Sequence, residues 1–384
     1  MRVAVYYPWV YVKSGIERII VELKRRSRHD ISILTHHYDR DATYPELKSM
    51  GVVEVGHVPV SRDYLSVAKA GWIIGRTRLD TSAFDAMIVC CEGLGSLINF
   101  RNDDRPILNV CCTPLRPVYD HEYRARVHAR AGILRPALGL VEAAWRMIDR
   151  AAWRRYSAVV AISETVRRRI AAAGLWDKEV SLVYPGISRD RIRPSSTFEP
   201  FFFLPGRIMW TKNIELAVAA FRRIRETTPE AEFPFRLVVA GMVDRKSQPY
   251  LQRLRDMAAG DPAIEFRLDP SDAEMRDLYD RCWATLFTAF NEDFGITPVE
   301  AMAAAKPVLA VNRGGPVEVV VDGQTGRLLP DTPEAFAAAM RALAADEAGA
   351  RAWGQCGLAR APLFTWEHFV ETVDAEIDRI AARR

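Results

Sequence analysis

The sequence predicts an α/β protein of two Rossmann-like, doubly wound domains facing a cleft, and three observations predict it. Short apolar runs alternate with helix-length amphipathic stretches, the pattern of βα units and parallel sheets. The alternation breaks at Pro185-Gly186-Ile187 and the polar, proline-containing stretch Arg193–Pro200, which reads as a linker, and then resumes. A length of 384 residues suits two domains of ordinary size. With 49% hydrophobic and 27% charged residues, disordered and low-complexity classes are excluded. No apolar run approaches the ~20 residues that span a bilayer. Met1–Tyr7 reads as a first strand rather than a signal peptide, so the expected location is cytoplasmic.

In the first half, strands are expected at Arg2–Tyr7, Ile31–Thr35, Val52–Val60, Met87–Cys91, Ile107–Cys111, Val159–Ile162 and Ser181–Tyr184. Helices fall between them at Ile16–Ser27, Tyr64–Arg78, Ala137–Tyr156 and Glu164–Ala173. The second series places strands at Phe201–Leu204, Phe235–Ala240, Ile264–Leu268, Ala284–Phe287 and Val308–Val311. Its helices are expected at Asn213–Thr227, Pro249–Ala259, Asp272–Arg281 and Pro298–Ala304. These readings give domains at 1–190 and 191–362. The long amphipathic stretch Trp366–Ala382, within 363–384, is expected to pack back on the first domain. Ligands of such sheets bind outside the carboxyl ends of the strands.

Residues 1–200 carry 31 Lys+Arg against 22 Asp+Glu, a balance of +9 within a chain of net charge +4. A basic first half suits an anionic partner. The six cysteines include the adjacent pairs Cys90-Cys91 and Cys111-Cys112, without a CxxC. Neither a zinc site nor a disulfide framework is expected, and the thiols read as reduced and mostly buried.

The strongest motif runs from Phe290 to Met302, after a strand and into a helix with Pro298 in its first turn. Gly295 lets backbone approach a ligand closely, and the amides of Phe294, Ile296 and Thr297 at the positive helix end form a ready anion site. Glu292 and Glu300 stand eight apart, and a carboxylate pair suits bonds from vicinal hydroxyls. A second element, Leu204–Asn213, joins a strand to a helix. There Arg207 offers a forked permanent charge and Lys212 a mobile point charge, both suited to a diphosphate. Asn312-Arg313-Gly314-Gly315-Pro316 and Gly323-Gln324-Thr325-Gly326 read either as plain turns or as bare backbone beside a ligand.

Together these segments resemble the family 4 retaining glycosyltransferases of GT-B fold, a group that includes bacterial polysaccharide mannosyltransferases. The resemblance implies a nucleotide-sugar donor, with Arg207 and Lys212 on its diphosphate and Glu300 on its ribose. Glu292 and the backbone of Phe294, Gly295 and Ile296 would hold its sugar. It further implies front-side displacement with retention, Arg207, Lys212 and Glu292 serving catalysis, and no cofactor or metal. In the first domain, Lys13-Ser14-Gly15-Ile16-Glu17-Arg18 is similar to the family's glycine-rich loop, with Ser14 for one glycine, and makes Gly15 a donor contact. Cys112-Thr113-Pro114-Leu115-Arg116 is similar to a mannosyltransferase His-Thr-Pro-x-Arg segment, with Cys112 where the donor-contacting histidine stands. GDP-mannose is the favoured donor and a UDP-sugar the alternative. The implied acceptor is a saccharide or lipid-linked saccharide of bacterial surface polysaccharide or lipopolysaccharide. A nucleotide-sugar 2-epimerase, or a GT-B binding protein without turnover, is the rival class.

Two further signals stand outside that resemblance. Cys91–Ile98 approaches GxGxxG without its third glycine, outside the first βα unit, and argues little for a dinucleotide. Residues 116–155 carry nine arginines against four acids, interleaved with apolar residues that include Trp145 and Trp153. That is the composition of an interfacial helix, so an anionic membrane surface, with peripheral attachment, is the further partner; no nucleic acid is expected.

Overall fold

A computed structural model describes residues 1–61, 63–91, 93–132, 135–187 and 192–383. The chain divides into two compact units, Met1–Pro185 with Trp366–Arg384, and Gly186–Thr365.

Unit 1 is built on seven parallel strands: β1 (Arg2–Tyr6), β2 (Asp30–Thr35), β3 (Val53–Glu54), β4 (Ala86–Cys91), β5 (Ile107–Cys111), β6 (Ala158–Ala161) and β7 (Ser181–Leu182). Their order in the sheet is β3-β2-β1-β4-β5-β6-β7, the doubly wound order with its reversal between β1 and β4. The central strands are apolar throughout because helices cover both faces of such a sheet. The expected strand Val52–Val60 shrinks to Val53–Glu54. It lies at the sheet edge, pairs only with Leu34 and Thr35, and leaves Val53 half exposed. Trp9–Val10 and His37–Tyr38 add a small parallel pair, and a helix at His121–Ala131 was not expected.

Unit 2 repeats the plan with β8 (Phe201–Pro205), β9 (Arg236–Gly241), β10 (Ile264–Leu268), β11 (Ala284–Phe287), β12 (Val308–Val311) and β13 (Gly326–Leu329), ordered β10-β9-β8-β11-β12-β13. Gly323–Gly326, read as a plain turn or as bare backbone beside a ligand, closes a turn and then opens β13. Gly326 is required because a Cβ there would collide with the Val308 carbonyl. Two helices not expected, Pro333–Ala344 and Glu347–Arg360, complete the unit.

The stretch read as a linker is part of unit 2. Ser195 N donates to Ala304 O at 3.2 Å and Glu199 N to Arg281 O at 2.8 Å. Lys306, fully buried, donates to Thr197 O and lies 3.9 Å from the Phe198 ring. Residues 188–191, where the expected boundary falls, lie outside the described residues.

The last helix, Trp366–Ala381, belongs to unit 1. Its apolar stripe is Trp366, Phe369, Val370, Val373, Ile377 and Ile380, one face at helical spacing. Asp374, 4% exposed, accepts from Ser27 Oγ at 2.6 Å and from Arg28 N at 2.9 Å. Removing a charged acceptor from two such donors costs about 1.5–3 kcal/mol. Asp374→Ala is therefore expected to lower the unfolding free energy of unit 1 by that amount, seen as a fall in its urea midpoint at unchanged m and read from the near-UV signal of its tryptophans.

Candidate functional site

In unit 2 the strand order reverses between β8 and β11, which pair directly through Phe202 with Ala284 and Phe203 with Thr285. Loops leaving adjacent strands toward opposite faces open a crevice at their carboxyl ends. The expected donor residues of this unit lie on the loops that follow β8 and β11 and on the helix Ile296–Ala303 that the second loop opens.

After β8, Gly206 takes φ 137° and its N–H donates to Ala240 O at 3.0 Å. A Cβ on neighbouring Gly241 would strike the Gly206 carbonyl, so both positions need glycine. Arg207 is exposed and, among the described residues, pairs with no carboxylate. A single turn, Trp210–Lys212, leads to Asn213 in the left-handed region (φ 48°), a conformation asparagine tolerates, and Ile214–Thr227 starts there.

After β11, the chain is stitched to that loop. Thr288 Oγ1 donates to Lys212 O at 2.8 Å and Phe290 N to Thr211 O at 2.9 Å. Lys212 Nζ reaches across to Glu292 Oε2 at 2.7 Å, both side chains about a quarter exposed. Gly315 N, in the loop after β12, donates to Glu292 O at 2.8 Å. A Cβ on Gly314 would stand 2.6 Å from that same carbonyl. Gly314-Gly315 thus exists to let backbone touch backbone, which holds Glu292 in place.

Gly295 caps the helix Ile296–Ala303 at φ 84°, with a Cβ position 3.2 Å from the Phe287 ring. Phe294 turns inward against Phe364, ring centroids 5.8 Å apart, so only its backbone faces the crevice. Ile296 and Thr297 carry the first helical N–H groups. Glu300, one turn on, accepts from Tyr279 Oη at 2.7 Å. Tyr279 is 3% exposed; its burial and the Glu300 carboxylate hold the phenol well above its usual pKa, so it stays a donor. Tyr279 was not expected from the sequence. Its signal is weak, an aromatic on the inner face of the helix Asp272–Arg281, and only the fold brings it to Glu300.

The unit 1 residues are placed differently. Gly15 begins the helix Gly15–Arg26 and a Cβ there meets nothing within 4 Å, so its own surroundings impose no need for glycine. The Ser14 hydroxyl accepts from Ile16 N and donates to Glu17, spent on capping the helix. Cys112 follows β5 and is 5% exposed, a buried thiol at the carboxyl edge of the sheet. Gly93 follows β4, next to β5 and on the same side of the unit 1 reversal, with φ 109° and Leu115 packed where a Cβ would stand. Glu92, in the same motif, lies outside the described residues.

Two Rossmann-like units in one chain, the second bearing a cation–carboxylate pair and a helix N-terminus at its strand reversal, define the GT-B class. Residues 188–359 match the family described as glycosyl transferases group 1. An alpha-1,3/1,6-mannosyltransferase of Rhizomucor pusillus is 37% identical over 172 residues, 38% of this chain and 38% of its own length. The chain thus spans about two-fifths of that relative. Sucrose-phosphate synthase of Thermosynechococcus elongatus superposes with a TM-score of 0.76 at 17% identity, with all of both chains covered. HepE of Anabaena, solved with UDP and glucose, gives 0.73 at 16% identity over 100% of this chain and 99% of its own. These two establish the fold.

If Glu300 is held by Tyr279 for a ligand's hydroxyls, Glu300→Ala is expected to weaken nucleoside diphosphate binding by ~1.5–3 kcal/mol, the scale of a hydrogen bond to a charged group. Tyr279→Phe is expected to give a smaller loss in the same direction. Calorimetric titration with GDP and with UDP reads both, and equal affinities across the three proteins would remove Glu300 from the site.

Proposed function

We propose that the protein is a retaining glycosyltransferase that binds a nucleotide-diphosphate sugar on unit 2 and an acceptor on unit 1. The observation that carries the reading is the Lys212–Glu292 pair at 2.7 Å, spanning the β8 and β11 loops beside the N-terminus of Ile296–Ala303. A diphosphate between Arg207, Lys212 and that helix end meets two cations and oriented N–H groups. Glu292, held through its carbonyl by Gly315, is placed to accept sugar hydroxyls while it steadies the Lys212 ammonium. Leaving-group charge is then stabilised by groups already in position, and chemistry rests on that and on orientation. With two cations at the diphosphate, no metal is needed in this reading.

The 37% identity to a mannosyltransferase supports mannose as the sugar, and GDP-mannose is the favoured donor. A UDP-sugar is the alternative. The acceptor is read as a saccharide or lipid-linked saccharide of bacterial surface polysaccharide assembly. Burial of Cys112 where an imidazole would be expected favours, as the second reading, a binding protein without turnover, since a thiol is a weak donor and acceptor. Incubation with GDP-mannose and UDP-hexoses, with release of GDP or UDP scored, separates these readings. Lys212→Ala is expected to lower kcat more than donor affinity, because leaving-group charge grows in the transition state. A pure rise in KM would confine Lys212 to ground-state binding.

The membrane reading takes a different shape from the one composition suggested. In the helix Arg135–Trp153, Trp153 is 1% exposed and Trp145 faces Gly71, so both tryptophans turn inward. The outward face is aliphatic, with Leu140, Val141, Met147 and Ile148 all exposed and Ala144 among them. Arg155 is committed to Asp103 at 3.2 Å, while Ile133 and Leu134 lie outside the described residues. Among the described residues no helix is long and apolar enough to cross a membrane. We read this stripe, edged by Arg146 and Arg150, as the face that lies on an anionic leaflet. Sedimentation with phosphatidylglycerol vesicles is expected to carry the protein down, less so at high salt, and Leu140→Asp with Met147→Asp is expected to abolish it. Equal behaviour with neutral vesicles would contradict the reading.

A further inference from the structure

Unit 1 contains a cationic pocket that donor binding on unit 2 does not use. The short helix Arg116–Tyr119, the helices His121–Ala131 and Arg135–Trp153, and the end of Glu164–Ala172 border an open hollow of about 330 Å³, lined by Tyr119, Arg124, Arg146, Arg150 and the alanines at 172 and 173. At ~30 Å³ per water in the liquid, that is room for about ten waters, ample for a diphosphate.

The local charge does not balance. Arg124 spends Nε at 3.1 Å and Nη2 at 2.7 Å on one oxygen of Glu142, whose other oxygen faces His128 at 2.7 Å. Arg146 uses only Nη2, toward Val118 O at 3.3 Å and Glu142 at 3.5 Å. Arg150 uses only Nη2, toward Ala173 O at 3.2 Å. Among the described residues nothing takes the Nε or Nη1 donors of either. Arg124 and Arg146 thus share the one Glu142 carboxylate, while Arg150 meets only a backbone carbonyl. Asp149, on the same helix as Arg146 and Arg150, is 1% exposed and pushed by burial up to about 7, so it is only partly ionised near neutral pH. Capping the end of Glu164–Ala172 accounts for one donor of Arg150 and none of Arg146. Unclaimed planar forks converging on one hollow are the chemistry of phosphate recognition.

We propose that Arg124, Arg146 and Arg150 form an anion site for a phosphate or diphosphate group carried by the acceptor. This rests on the reading of unit 1 as the acceptor-binding unit. The exposed stripe Leu140–Ile148 lies on the same helix as Arg146 and Arg150, so an acceptor with a lipid tail beyond its phosphate would meet apolar surface next to the pocket.

The test is calorimetric titration of the full chain with inorganic pyrophosphate, comparing wild type, Arg146→Gln/Arg150→Gln and Arg146→Lys/Arg150→Lys. The Gln pair is expected to weaken one pyrophosphate site at least tenfold, and the Lys pair, which keeps charge but not the fork, less. Affinity for GDP or UDP is expected to stay unchanged in both, so failure of the donor site and failure of this site are read separately. Circular dichroism confirms that the variants fold. Cosedimentation with phosphatidylcholine vesicles, with and without phosphatidic acid, then distinguishes the source. Phosphatidate-dependent binding that the Gln pair loses assigns a lipid-borne phosphate. Pyrophosphate binding without vesicle binding assigns a soluble phosphorylated acceptor. A pyrophosphate isotherm identical in wild type and the folded Gln pair overturns the proposal.

Discussion

The unit 2 site depends on one topological constraint, the reversal of strand order between β8 and β11. Two neighbouring parallel strands send their chains to opposite faces of the sheet, and their loops must part at the carboxyl edge. Hydrogen bonds to backbone carbonyls then fix the loops that border the opening. Thr288 and Phe290 tie the β11 loop to the β8 loop, and Gly315 ties the β12 loop to Glu292. The glycines at 241, 314 and 315 stand where a side chain would strike neighbouring backbone. Against this backing Lys212 and Glu292 meet at 2.7 Å, so a charged ligand in the proposed role would find groups already gathered.

The carboxylates differ in support. Glu292 is fixed through its own carbonyl and paired with a lysine, so its charge is balanced within the crevice. Glu300 is fixed by a neutral donor, the buried phenol of Tyr279, which orients the carboxylate without cancelling its charge. An acid oriented by a hydroxyl remains a strong acceptor for ligand hydroxyls. The two acids are therefore differently supported, one paired with a cation and the other oriented by a phenol with its charge uncancelled.

Much of this was legible in the sequence because unit 2's strands are short continuous apolar runs, Phe201–Leu204 and Ala284–Phe287 among them, bounded by turn residues. The loop glycines and Pro298 mark where chain leaves strand and enters helix. What stayed hidden depended on packing. Val52–Val60 has β-forming residues but only two partners at a sheet edge. β13 is four residues long and begins with a glycine that reads as a turn. The helix Pro333–Ala344 did have a signal, a Thr332 cap before Phe336, Ala337, Met340 and Leu343. Tyr279 and the inward turn of Trp153 follow from which helix face meets the sheet. Composition reports residues, not the face they occupy, so an arginine- and tryptophan-rich segment proved to present aliphatic residues outward.

Hydrogen–deuterium exchange of the full chain with and without a saturating nucleoside diphosphate tests the central claim most directly. Protection is expected in two segments of unit 2, 206–214 and 292–300, whose amides and side chains line the strand reversal. Protection confined to unit 1, or spread evenly over the chain with neither segment favoured, would contradict the account.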